Sequence, residues 1–140
     1  MKRALVLAAL VFLMWTAAAE AAQFKVIVNR AVKSDSLTKQ QVSDLFLKKT
    51  TKWTDGTAVA AVDLPDATSV REAFSKEIHG QPASAVKSYW NKQIFSGRDL
   101  PPLEKKTDAE VVAYVRATAG AIGYVAESAE TEGVRVLTVH

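Results

Sequence analysis

Apolar and polar positions trade places from Phe24 to Asn29, where Phe24, Val26 and Val28 alternate with Lys25, Ile27 and Asn29. The β-branched content predicts a strand whose two faces are both at least partly covered. The period then lengthens. Thr38-Lys39-Gln40-Gln41 has the form of a capping box, and Val42, Leu45 and Phe46 follow at helical spacing, predicting a helix over 38–48. The turn signal Asp55-Gly56 precedes a short apolar run from Ala58 to Leu64, a second strand. Strand, helix and strand in this order predict a right-handed parallel crossover.

A second capping-box pattern, Ser69-Val70-Arg71-Glu72, opens a helix with Val70, Phe74 and Ile78 on one face and a stop at Gly80. Pro82 suits the first turn of the next helix, which runs through Val86, Tyr89, Trp90 and Ile94 to Phe95. Gly97 and Pro101-Pro102 then force an extended connection. A third box, Thr107-Asp108-Ala109-Glu110, starts a helix carrying Val111, Val112, Tyr114 and Val115 that closes near Gly120. Ile122 to Val125 and Val134 to Val139 predict the last two strands. The pattern is that of a mixed α/β domain over 22–140, without internal repeats, low-complexity tracts or long linkers.

The first residues stand apart from this pattern. Lys2 and Arg3 precede an apolar stretch from Ala4 to Trp15 and then an alanine-rich segment, which predicts a secretory signal peptide over 1–21. Ala19 and Ala21 occupy the small-residue positions of an Ala-x-Ala site, placing cleavage after Ala21, with Ala22 as a neighbouring alternative. The apolar run falls well short of the roughly 20 residues that cross a bilayer. A soluble periplasmic protein is the expectation. The chain has no cysteine, so stability in that oxidising compartment must come from packing alone. Loss of Lys2, Arg3 and Glu20 takes the formal net charge from +3 to +2. That balance is too mild, and the lysines and arginines too dispersed, for nucleic acid as a partner.

Candidate chemistry concentrates where the second apolar run gives way to the helix at Ser69. Thr68, Ser69 and Arg71 occupy this strand-to-helix junction, where free backbone N–H groups and the helix dipole favour an anion. Arg71 would add a planar fork. The other reading is structural, with Ser69 and Glu72 capping each other and Arg71 in solvent. Trp53, Tyr89, Trp90 and Tyr124 are read as core rather than as a ligand wall. His79, at a helix end where the dipole favours a cation, is read as a cap contact. With two histidines and no cysteine, a histidine- or thiol-rich metal site is not expected. No Gly-x-Ser-x-Gly elbow or other constellation with assignable catalytic roles occurs, so the chain is read as a non-enzyme without cofactors.

Three stretches carry a family resemblance: Leu37 to Trp53 with Phe46-Leu47-Lys48-Lys49, the following Trp53-Thr54-Asp55-Gly56, and Gly120-Ala121-Ile122-Gly123-Tyr124-Val125. The chain resembles the periplasmic phosphate-binding proteins that feed ABC transporters, in a short, single-lobe form. Tyr89-Trp90, Ile94-Phe95-Ser96-Gly97-Arg98 and Pro101-Pro102 fit that form too. The resemblance implies a single lobe of a type II periplasmic-binding-protein-like fold, a mixed sheet flanked by helices. It also implies a small, phosphate-like oxyanion as ligand. The family's Ser-Gly-Thr motif after an acidic residue maps onto Asp66-Ala67-Thr68-Ser69, where Asp66 and Thr68 match and the glycine is absent. The candidate ligand set is then the junction's Thr68, Ser69 and Arg71 with Asp66 added by the resemblance, and Arg98 as a second basic candidate or a solvated loop arginine. A lone lobe must find its second wall in a homodimer, an ABC permease or another envelope protein. The rival expectation is an envelope interaction module without a transport role.

Overall fold

A computed structural model describes residues 23–140; the predicted signal peptide and its cleavage site lie outside the described residues. The elements are β1 (Phe24–Val28), β2 (Ser36–Leu37), α1 (Lys39–Phe46), β3 (Ala60–Asp63), α2 (Ser69–Phe74), α3 (Ala83–Phe95), β4 (Leu103–Glu104), α4 (Asp108–Ala117), β5 (Ala121–Ala126) and β6 (Arg135–Val139). Every predicted helix and strand is present. The sheet has six strands in the order β2-β6-β1-β5-β3-β4.

The predicted parallel crossover is corrected by the strand directions. β1 pairs antiparallel with both β5 and β6, whereas β3 is parallel to β5 and to β4, and β2 is parallel to β6. β1 therefore runs opposite to the other five strands, and β3 is not its parallel neighbour. The reason is β2, a two-residue strand too short to show a period, which reverses the chain before α1 begins. The parallel connection runs from β2 through α1 to β3.

Both faces of the sheet are covered, as the near-continuous apolar runs require. Ile27, Val28, Ile122 and Val62 are fully shielded in the middle of the sheet. On one face Tyr124 stacks on Phe74 of α2 at 3.8 Å between ring centres, and Phe46 of α1 meets Phe74 edge-on at 4.8 Å. On the other, Gly123 lies beneath Val111 and Val115 of α4, with no room for a Cβ. Leu47, Val86 and Trp90, with Tyr89 against them, make a smaller core where α3 joins the body. The aromatic residues thus pack as predicted.

The caps divide. Thr38 and Gln41 form the reciprocal box, each side chain accepting the other's backbone N–H at 3.1 and 2.9 Å. The box expected at Ser69 is displaced by one residue. Thr68 is the cap, its Oγ1 accepting from the Arg71 N–H at 3.2 Å, and Glu72 instead accepts from the Ala83 N–H that opens α3. After Phe74 the helix widens into a π-helical turn over Ser75–His79 and stops at Gly80 in the left-handed conformation. Such turns are rare and recur at special sites. Here it brings the His79 ring edge-on to Phe74 and its Nδ1 within 2.7 Å of Ser43 Oγ.

His79 is accordingly not the cationic cap contact expected from the sequence. Burial, aided by Arg71 and Lys49, holds its pKa down to about 4. The ring is neutral at physiological pH. Its proton NMR titration is expected to place the midpoint near pH 4; a midpoint at the ordinary value of 6.5 would show the ring open to solvent rather than buried.

Candidate functional site

β3, β4 and β5 run parallel, so their carboxyl ends gather at one pole, where open α/β sheets bind ligands. Asp63 ends β3 and Glu104 ends β4 there. α2 begins at the same pole and α3 passes alongside. Between them lies an open cleft of about 300 Å³, lined by Asp63, Asp66, Arg71, Lys87 and Glu104 and, on its apolar side, by Trp90, Ile94, Pro101 and Pro102.

The floor is a buried polar network. Arg71 is 5% exposed; its Nη1 donates to the Leu64 carbonyl at 2.7 Å and lies 3.4 Å from Asp63 and 3.7 Å from Glu104. The Tyr124 hydroxyl donates to Asp63 Oδ1 at 2.6 Å and accepts from the Leu64 N–H at 3.3 Å. A charge so enclosed needs such partners. Burial nonetheless pushes the Asp63 carboxyl up to about 6 against the pull of Arg71 and Tyr124. Burial, and then the Asp63 charge, raise the Tyr124 phenol well above its ordinary range, so it remains a donor.

Asp66 is exposed at the rim, 3.4 Å from Lys87. Its own backbone N–H first, and Lys87 second, hold its carboxyl below the usual range. Ser69 is exposed and Thr68 half-buried. Thr68 is committed to structure: besides capping, its hydroxyl donates to the Pro65 carbonyl at 2.8 Å. Ser69 and Val70 are the first two helical residues, so their amides have no acceptor within the helix.

Of the predicted residues Asp66 and Arg71 line the cleft, while Thr68 and Ser69, at the helix start, and Arg98 lie outside its lining. Arg98 is exposed in the loop between Ile94 and Pro101, both of which do line it. Arg71 faces inward, neither a free fork nor a solvated side chain. Sequence reading missed Glu104, Lys87 and the role of Tyr124, because each is a surface or core residue by type. The one available signal was Asp63, a carboxylate closing an otherwise apolar strand, which called for a buried partner. Among the described residues no group of three or more histidines, aspartates or glutamates is placed to hold a metal ion. No described helix is long and apolar enough to cross a membrane.

No protein-family model matches the sequence, and no curated protein does. Solved structures do. The chain is similar to a phosphate ABC transporter substrate-binding protein from Clostridium perfringens with bound phosphate, at a TM-score of 0.67 and 19% identity over 84% of this chain and 45% of that one. It is similar to an ABC-type phosphate transport receptor from Vibrio cholerae at 0.66 and 14%, over 84% and 46%. PstS from Borrelia burgdorferi matches at 0.59 and 13%, over 85% and 47%. The chain spans less than half the length of each. The fold is therefore that of a single periplasmic-binding-protein-like lobe with a mixed sheet flanked by helices, as the resemblance implied.

Proposed function

We propose that this chain is an exported, non-catalytic solute-binding lobe that takes a small, protonated oxyanion such as phosphate in its cleft, in connection with ABC-type uptake. The turn from Asp66 to Ser69 carries the reading: Asp66 lines a cleft floored by Arg71 and flanked by Lys87, and the Ser69 and Val70 amides three and four residues on have no acceptor within the helix. Backbone donors at a helix start are suited to an oxyanion. The fold shared with proteins described as phosphate-binding supports the same ligand class.

The charges refine it. Asp63, Asp66 and Glu104 line the cleft against Arg71 and Lys87. Carboxylates in excess repel a bare anion but accept a hydrogen bond from an oxyanion that carries its own proton. Monohydrogen phosphate has that proton and sulfate does not. Isothermal titration at pH 8 is expected to show phosphate binding at least about tenfold more tightly than sulfate, roughly one charge-assisted hydrogen bond. Sulfate keeps its charge across this range, so its affinity is expected to rise as pH falls through about 6 and Asp63 becomes neutral. No heat with any oxyanion at either pH would sink the reading.

The sharper control is Ser69→Pro. Ser69 is the first helical residue, where proline is tolerated, and Thr68 before it is already extended at φ −80° and ψ 142°. The substitution removes one amide donor without disturbing the helix. An oxyanion held at this turn is expected to weaken by about tenfold or more; unchanged affinity would move the ligand elsewhere. Ile94, which lines the cleft and is 47% exposed, and the neighbouring Phe95, 97% exposed, favour a second reading, that of an envelope interaction module.

A further inference from the structure

The cleft is larger than an inorganic oxyanion, and only part of it is polar. A cavity of about 150 Å³ holds a benzene molecule, and this cleft spans about 300 Å³. Phosphate, with five heavy atoms, takes roughly the space of two or three waters at about 30 Å³ each. Much of the cleft is left over.

Helix α3 shows how the polar and apolar parts are arranged. Lys87, Trp90, Asn91 and Ile94 line the cleft at the first, fourth, fifth and eighth positions of a helical stretch, so one face of α3 forms a wall about 10 Å long. Lys87 marks its polar end, 3.4 Å from Asp66. Two turns on, Ile94 marks the apolar end, where Pro101 and Pro102 from the loop before β4 join the lining. Proline has no backbone N–H, and neither its ring nor an isoleucine side chain can hydrogen-bond. Water there finds few partners. Ile94 is nonetheless about half exposed, since its own fold leaves it uncovered. Asn91, between the two ends, is exposed and has an amide to donate.

Building on the oxyanion reading, we propose that the ligand is an organic phosphate monoester: its phosphoryl head lies at the Lys87 and Asp66 end, its ester oxygen beside Asn91, and its aryl or short alkyl group along Trp90, Ile94 and the two prolines. The head uses the donors already described. The tail adds what inorganic phosphate lacks, apolar area that leaves water on binding. Length and polarity select this class. A diphosphate would lay its second charge against Ile94 and the prolines, a sugar phosphate would bring hydroxyls to a surface without partners for them, and a fatty acyl chain would overrun a wall of this length.

The test is isothermal titration of the purified protein at pH 5.5 with inorganic phosphate, phenyl phosphate and phenol. A phosphomonoester has its second pKa near 6, so both phosphates carry a proton there. Phenyl phosphate is expected to bind at least about tenfold more tightly than phosphate, because a ring is buried with the head, and phenol is expected not to bind. Ile94→Asn, at a half-exposed position, is expected to leave the circular dichroism spectrum unchanged and to cut that preference at least about threefold. Phe95→Asn, one residue on and outside the lining, is expected to leave the preference as it was. Phosphate binding with phenyl phosphate equal or weaker would overturn the ester and leave the oxyanion reading standing. No heat from either phosphate would overturn both. Phenol binding as tightly as phenyl phosphate, or a preference indifferent to Ile94→Asn, would also overturn the ester, because the head or the tail would then lie elsewhere.

Discussion

Replacing Arg71 with methionine is expected to cost about 3–5 kcal/mol of stability at pH 8, since it strips a buried carboxylate of its cationic partner while filling the same volume. Arg71 holds Asp63 at 3.4 Å, ties down the Leu64 carbonyl and reaches Glu104. The loss should depend on pH in a definite direction. Asp63 has its folded pKa raised from 3.8 to about 6, so the folded state favours the protonated carboxyl. Its contribution is fully present below the unfolded value and is lost as pH rises through the folded one. Without Arg71 the carboxyl is pushed higher still. At pH 5 it takes a proton and the methionine variant loses less. Urea unfolding at pH 5 and pH 8 measures both numbers. Equal losses at the two values, or a loss below about 1 kcal/mol at pH 8, would show that the pair is not the keystone of the cleft floor. Adding Asp63→Asn to the variant is expected to recover much of the loss, because the uncompensated charge is then gone. An Arg71 variant that binds no anion has first to be shown folded.

Gly120→Ala is expected to destabilise by about 3 kcal/mol, lowering the melting temperature by roughly 10–20 °C in a domain of this size. Gly120 has φ +76°, and a Cβ there would stand 2.2 Å from the Ala58 carbonyl oxygen. Backbone cannot step aside cheaply at that point. The Gly120 carbonyl accepts from the Ala60 N–H at 3.1 Å and from Trp53 Nε1 at 2.8 Å, joining the starts of β3 and β5 to the Trp53 turn. Gly80→Ala is the contrast. Gly80 is also left-handed, at φ +68°, but nothing lies within 4 Å of a Cβ there. It is expected to lose only the conformational term of about 1 kcal/mol. Similar melting temperatures for the two variants would mean that the Ala58 approach gives way easily.

Much of this architecture was legible. The caps at Thr38 and Thr107, the stop at Gly80 and the break after Phe95 are local effects, decided within a turn of chain. The cleft was half legible. Its helix start could be read, yet the box pattern assigns Glu72 to the cap, having no knowledge of the Ala83 amide eleven residues on. Arg71 could be read only as a solvent residue or an anion fork, because its real partners arrive from β3 and β4.

The sequence by itself determined the four helices and the four longer strands in their order, though not the two-residue β2 and β4, because hydrophobic period, capping and turn chemistry act over a few residues and need no partner from afar. It also determined that the interior would be aromatic and aliphatic, cysteine being absent. Strand direction, the burial of Arg71 beside Asp63 and Tyr124, and the outward turn of Phe95 were decided only by the tertiary structure. Each depends on which distant segment lies alongside, and a buried charge or an exposed ring has the same letter as its opposite.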